Sequence, residues 1–228
     1  MLTSTEDVVS AGVNSIMRLM ELTAPDSTGY TAAARAGIAP EVDAIRASLL
    51  AMANTKAQGK FIFGGSQTQS TPFADVAGTV NYSGNGNSID LRVAAQATMA
   101  TNIPGDSVFY GTGGQNSATD IFKLVSDLST GLKNNDTAAI QAATANLDGV
   151  LANYNRVLAV IGGRQSSLNS LKDTLSGFNI TLQSMQEGMQ ATDYPKAMTE
   201  YTNDTTIQSV TLSAMAKSSK TNLFDYLG

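Results

Sequence analysis

Between Asp136 and Met189 apolar side chains return alternately three and four positions apart. With Ile140 at the first seam position, one series reads Ile140, Leu147, Tyr154, Ile161, Leu168, Leu175, Leu182 and Met189. The second reads Ala143, Val150, Val157, Arg164, Leu171, Phe178 and Met185, and only Arg164 interrupts it. A 3.5-residue repeat held this long predicts a coiled-coil seam rather than the stripe of a globular helix. At ~1.5 Å per residue a helix over 137–191 would be roughly 80 Å long, so the predicted body is a rod. Arg164 in the seam reads as a snorkelling side chain or the partner of an acid across the bundle, with a register-setting role as the sharper alternative. The adjacent Gly162-Gly163 predicts either a bend or the close approach of another backbone.

Two further helices precede the seam. Residues 1–24 carry Leu2, Val9, Val13, Ile16 and Met20 at helical spacing, after a Thr3-Ser4-Thr5-Glu6 capping box. Pro25 to Gly29 ends that helix. A second covers roughly 31–57 with Ile38, Val42, Ile45, Leu49 and Met52 on one stripe, and Gly37 and Pro40 predict a kink or a start near residue 39. As an antiparallel pair they are expected to cover the seam between about 137 and 191.

Residues 59–114 change character, holding ten of the 20 glycines and only five charged residues. Short apolar runs alternate with turn signals here. Phe61-Ile62-Phe63 precedes Gly64-Gly65, and Asn85-Gly86 predicts a β-hairpin over 79–94. Val108-Phe109-Tyr110 reads as another strand. Ile121, Leu124, Val125, Leu128 and Leu132 then mark a short helix ended by Lys133-Asn134-Asn135. Asp193 before Tyr194-Pro195 predicts a helix restart with Asp193 as its N-cap. This last helix, to about residue 220, carries Met198, Tyr201, Ile207, Val210, Leu212, Ala214 and Met215 on more than one face, so it needs apolar neighbours on several sides. Leu223, Phe224, Tyr226 and Leu227 crowd the end of the chain, where frayed polar residues are usual. The predicted organisation is 1–58 and 117–192 as the rod, 59–116 as a β-rich insert, and 193–228 as a terminal helix whose partners lie outside the chain.

Composition narrows the chemistry. There is no Cys, His or Trp, the net charge is −5, and charged residues make up 14%. Thiolate and imidazole chemistry are excluded, no Ca²⁺-loop pattern occurs, and the acids are scattered singly. The expectation is no enzyme, no catalytic residue, no metal and no cofactor. No basic stripe suggests nucleic acid, no apolar run reaches the ~18 residues of a membrane span, and the start lacks a cleavable signal pattern. The glycine pairs at 64–65, 113–114 and 162–163 stand outside any phosphate-loop context and read as turn or hinge glycines. Four Asn-x-Ser/Thr triplets are what a Ser/Thr/Asn-rich chain yields by chance. A sparsely charged surface suits self-association.

Three stretches carry a resemblance. AMANTKAQGKFIFGGSQTQSTPF resembles the helix-to-β junction of the flagellin superfamily. VNYSGNGNSIDLRVAAQATMATNIPGDSVFYG resembles the β insert of its hook–filament junction family, the third flagellar hook-associated proteins. ATDYPKAMTEYTNDTTIQSVTLSAMAKSSKTNLFDYLG resembles that family's C-terminal helix, down to Leu223-Phe224-Asp225-Tyr226-Leu227. The resemblance implies a mainly α fold, an elongated antiparallel coiled-coil rod with an inserted β-rich domain, ending in an assembly tail. It implies a structural subunit of the bacterial flagellum, extracellular and exported by the flagellar type III route without a cleavable signal. Its partners would be other copies of itself in a ring, the neighbouring hook-associated protein, flagellin and an export chaperone covering the terminal helix, with no membrane insertion. The family pattern has a further N-terminal helical segment, so this chain is expected to lack one. Candidate assembly contacts are Ile207, Val210, Leu212, Met215, Leu223, Phe224, Tyr226 and Leu227. A minor flagellin, or an adhesin-like stalk with a β binding module, are the alternatives.

Overall fold

In helix α1, Leu2–Leu22, the buried residues are Leu2, Thr5, Val9, Gly12, Ile16 and Leu19. Their alternating steps of three and four form a narrow seam, which is the geometry a long partner helix demands. The computed structural model describes residues 1–23, 30–94 and 97–220 of the chain. These fall into two compact units, Met1–Asn169 and Ser170–Gly228. The 84-residue helix α4, Thr137–Lys220, supplies its first part to one and the remainder to the other.

In the first unit α1 lies antiparallel to α4. A Cβ built on Gly12 would stand 2.4 Å from Cε1 of Tyr154, so this glycine is the cradle for that ring. Nearer the start of α1, Gln165 Nε2 donates to Glu6 Oε2 at 2.7 Å. The anticipated capping box does not form. Met1 is the N-cap and makes no side-chain bond, while Thr5 Oγ1 donates back to Met1 O at 3.0 Å. Helix α1 already begins at Leu2, so Thr3 lies inside its first turn rather than at the N-cap, and Glu6 is engaged by Gln165.

Helix α2, Ala32–Ala53, begins at Thr31, whose hydroxyl accepts from Ala34 N–H, and it runs through Pro40 without restarting near residue 39. Pro40 sits beyond the first turn, where it costs one backbone bond. Polar ties on the rim of the helices fix their directions. Arg18 Nε donates to Glu41 at 2.7 Å between α1 and α2. Lys133 Nζ and Ser129 Oγ of α3, Ile121–Lys133, both donate to Asp43 of α2. Asp120 caps α3, accepting from the N–H of Phe122 and Lys123. The anticipated antiparallel pairing of the first two helices is what the fold contains.

The segment between α2 and α3 forms three short antiparallel pairs: β1 (Lys56–Ala57) with β2 (Lys60–Phe61), β3 (Phe73–Val76) with β4 (Thr79–Tyr82), and β5 (Asp90–Ala94) with β6 (Ala97–Ala100). This corrects the hairpin expected over 79–94. Strand β4 pairs backwards with β3 in the register Val76↔Thr79 to Phe73↔Tyr82, and β5 pairs forwards with β6. The turn in the β3–β4 hairpin is Ala77-Gly78, both at positive φ, and Asp75 Oδ1 accepts from Gly78 N–H. Asn85-Gly86 instead forms a clasp, in which Asn85 Oδ1 accepts from Ser66 N–H at 2.9 Å. The neighbouring Gly65, at φ 65°, lies so near Asn85 O that a Cβ would stand 1.9 Å from it.

Val108-Phe109-Tyr110 is no strand but part of a π-helical turn, Asp106–Tyr110, which turns all three residues inward. A strand would alternate them between faces. Here Phe109 meets Phe63 edge-on at 5.1 Å, and Tyr110 Oη donates to Val80 O at 2.6 Å. Phe73, Phe122 and Tyr154 complete one aromatic cluster joining the β pairs to α3 and α4. Asn54, at the end of α2, bonds both N–H and C=O of Phe73, acting as a ladder partner for β3.

Helix α4 is continuous where breaks were anticipated. Pro195 lies inside it, so Asp193 does not start a new helix. One proline removes a single i→i−4 donor, and residues on both sides carry the helix on. At Gly162 and Gly163 a Cβ would meet nothing within 4 Å. Among the described residues no other backbone approaches the pair closely.

Candidate assembly surface

The seam of α4 has two environments. Ile140, Leu147, Tyr154 and Ile161 are buried, as are Ala143, Val150 and Val157 between them. Leu168 is partly buried against the same core, close to Met1, Leu2 and Thr3 at the far end of α1. The covered seam stops there. In the second unit Leu171 is half-buried, whereas Leu175, Phe178 and Leu182 are exposed. Met185 and Met189 are 59% and 70% exposed. The expectation that α1 and α2 would cover the seam as far as 191 is thus corrected: α1 is 21 residues long and its start already sits beside Leu168.

Further along α4, Ile207, Val210, Leu212 and Met215 are each more than 60% exposed, with Tyr194, Met198 and Tyr201 also open to solvent. Leu223, Phe224, Tyr226 and Leu227 lie outside the described residues. The rod seam is thus covered in the first unit, whereas its continuation and the described candidate contacts of the second unit form an uncovered apolar set. A surface of many large apolar groups on one helix is the kind that marks association.

Arg164 interrupts the seam for a reason invisible in the sequence. Its Nη1 donates to Asn102 O at 2.7 Å. Asn102 is buried, and its side chain accepts from Ile89 N–H and donates to Asn87 O, closing the base of the β5–β6 hairpin. Arg164 thus ties that hairpin to α4. Asn153 does the same for the π-helical turn, donating to the carbonyls of Ser107 and Val108. A third tie joins α2 to the β3–β4 turn: Arg46 pairs with Asp75 at 2.6 Å and donates to Gly78 O.

Shifted titrations trace these ties and the core. The hydrogen bond from Arg46 holds the Asp75 carboxyl below the usual range. At Asp43 burial works to raise the value, but the hydrogen bonds and charge of Lys133 and the Ser129 bond outweigh it, and the result is lowered. Asp120 goes the other way, raised by burial although three backbone N–H groups bond it. Burial and the charge of Asp106 push Tyr82 up to about 12. Asp120 is buried, whereas Asp43 and Asp75 sit on the rim in structural ion pairs. Among the described residues no group of three acids is placed to hold a metal ion, and no helix is long and apolar enough to cross a membrane. An open groove of about 520 Å³ beside α3 contains Lys123 and Asp127, which are paired with each other.

Fold and surface together define a mainly α chain with a small β insert and an apolar helix that its own described residues leave uncovered. No family model matches the chain. Flagellar hook-associated protein 3 of Escherichia coli (strain K12) is 30% identical over 154 residues, which is 60% of this chain and 48% of that protein. The chain therefore spans about half the length of the curated relative it matches. Among solved structures, a putative flagellar hook-associated protein from Vibrio parahaemolyticus superposes with TM-score 0.73 at 21% identity, over 81% of this chain and 83% of that one. FlgL of Xanthomonas campestris gives TM-score 0.71 at 15% identity over 82% and 93%. The flagellar junction protein FlgL of Legionella pneumophila gives 0.61 at 18% over 75% and 91%. The fold of this chain is the fold of those flagellar structures.

Proposed function

We propose that this chain is a structural subunit of the bacterial flagellum that joins hook to filament, and that it works by burying the uncovered face of α4 against neighbouring subunits. The observation that carries this reading is the seam beyond Leu168. There the heptad pattern continues while every large apolar seam side chain from Leu175 to Met189 faces solvent. Burying apolar surface contributes ~25 cal/mol per Å², so such a face gains most of its stabilisation only on association. The likeness to flagellar hook-associated protein 3 over 154 residues supports the same reading from sequence. The neighbours would be further copies in a ring, a second hook-associated protein on one side and flagellin on the other, with an export chaperone covering the helix beforehand. The chain would work outside the cell, reach it through the flagellar exporter, and perform no catalysis.

Sedimentation velocity of the chain mixed with purified hook-associated and filament subunits tests this. A faster boundary containing the chain is expected, and Leu182→Lys with Ile207→Lys should abolish it. A chain that stays at monomer mass beside both partners overturns the proposal. Long filaments formed by the chain alone would point to a flagellin instead.

A further inference from the structure

The nine methionines divide by environment. Met20 and Met52 pack against the core of the first unit. Met185, Met189, Met198 and Met215 are all more than half exposed and all belong to the second unit. Met185 and Met189 occupy consecutive seam positions, one helical turn apart, next to the exposed Phe178 and Leu182. Met17, 51% exposed, belongs to α1 of the first unit and is an internal control.

We propose that Met185 and Met189 form an oxidation-sensitive site through which peroxide-class oxidants disable the assembly face, an inference that rests on the assembly reading above. In the reaction a lone pair of the thioether sulfur attacks one peroxide oxygen. The S–O bond forms as the O–O bond breaks, the proton on the attacked oxygen passes to the departing hydroxide, the sulfur is oxidised by two electrons to the sulfoxide, and hydrogen peroxide is reduced to water. A thioether is apolar and adaptable, and fits a coiled-coil seam. A sulfoxide is polar and chiral, and its oxygen demands a hydrogen-bond donor that an apolar seam of Leu and Phe side chains does not offer. Both sulfurs are open in the free chain and would be covered once the seam is buried. Oxidation therefore acts on the subunit before it joins its neighbours. The lesion is reversible by methionine sulfoxide reductases, which makes it a switch rather than simple damage.

The test uses the full chain, dilute hydrogen peroxide, peptide mass spectrometry and the sedimentation assay above. Met185 and Met189 are expected to gain one oxygen each well before Met20 and Met52, with loss of the fast boundary and its recovery after reductase treatment. A double Met185→Leu, Met189→Leu chain keeps the seam apolar but lacks both sulfurs, so peroxide should remove less of its own untreated boundary than it removes from the parent's, whereas Met17→Leu should give no protection. An oxidised chain that still enters the complex, or a double variant that remains as sensitive as the parent, overturns the inference and leaves the assembly reading intact. Failure of the untreated chain to form any complex overturns the assembly reading, and this inference with it.

Discussion

One heptad repeat crosses two environments in α4. From Ile140 to Ile161 it is buried by α1 and the aromatic cluster, and from Leu175 to Met189 the same spacing of the same residue types faces water. The pattern therefore specifies which face of the helix is to be covered, but not what covers it. In the first unit the cover is intramolecular, and the seam contributes to folding. In the second the apolar face is as well formed, yet within the described residues it contributes nothing to the fold.

The sharpest way to break this comparison is to truncate matched seam positions. Leu147→Ala should cost about 2–5 kcal/mol, because Leu147 is fully buried and its removal leaves a cavity. Leu182→Ala stands at an equivalent heptad position and should change stability by no more than about 0.5 kcal/mol, as exposed sites do. Urea unfolding of the isolated chain, followed by near-ultraviolet signals of the aromatic cluster, measures both. Equal losses would mean that the second stretch is covered in solution after all.

The Gly12–Tyr154 contact gives the next largest effects. Gly12→Ala places a methyl group 2.4 Å from the tyrosine ring, so α1 or the ring must shift, at about 1–3 kcal/mol. Tyr154→Phe should act in the opposite direction. The hydroxyl of Tyr154 is buried without a hydrogen-bond partner among the described residues, and such a group costs about 1–3 kcal/mol of desolvation. Removing it should leave stability unchanged or raise it by up to about that much. Tyr201→Phe, at an exposed ring of the second unit, should do nothing. Thermal unfolding of the three variants ranks them, and a destabilised Tyr154→Phe would reveal a partner for the hydroxyl.

The helical part of this fold was legible because a 3.5-residue repeat leaves few alternatives for Leu147, Ile161 or Val150. What the sequence concealed has identifiable causes. Gly12 reads as a weakness in a helix, and only the ring of Tyr154 from a distant segment turns it into a cradle. Ala77-Gly78 is a poorer turn signal than Asn85-Gly86, but Arg46 and Asp75 hold the former in place while Ser66 diverts the latter. The run Val108-Phe109-Tyr110 has no periodicity of its own, so neighbours on every side decided its shape. The uncovered stretch of the seam could not be located from the pattern, since the pattern does not change where α1 begins.

Arg164 fills the interrupted seam position with a tie to the insert. Arg164→Ala removes a charge-assisted bond to Asn102 O, and such bonds contribute about 1.5–3 kcal/mol where fully formed. Arg164 is half-buried, so about 1 kcal/mol is expected. Hydrogen exchange should localise the effect to the β5–β6 amides and leave those of α1 unchanged. Uniformly faster exchange through the whole first unit would instead make Arg164 part of the core rather than a local latch.

Acid titration provides the smallest and most local test. The Asp43 carboxyl titrates below its ordinary value of 3.8 in the folded chain, because the Lys133 and Ser129 bonds outweigh burial. A lowered carboxyl contributes stability that is fully present above its unfolded value and is lost as pH falls through the folded one. The Asp43 and Lys133 side chains are 46% and 53% exposed, so solvent screening keeps the contribution within about 1 kcal/mol. Asp120, raised by burial, has the opposite sign: protonation favours the fold, and that contribution fades as pH rises from the ordinary aspartate value through the raised one. Asp43→Asn should therefore flatten the acid limb of the stability curve below about pH 4, with little change at neutral pH beyond the lost pair. Urea midpoints measured across the acid range for the parent and this variant decide it. An unchanged slope would show that the tie between α2 and α3 is open in solution, and that these helices are held by Val42, Leu49, Leu128 and their neighbours alone.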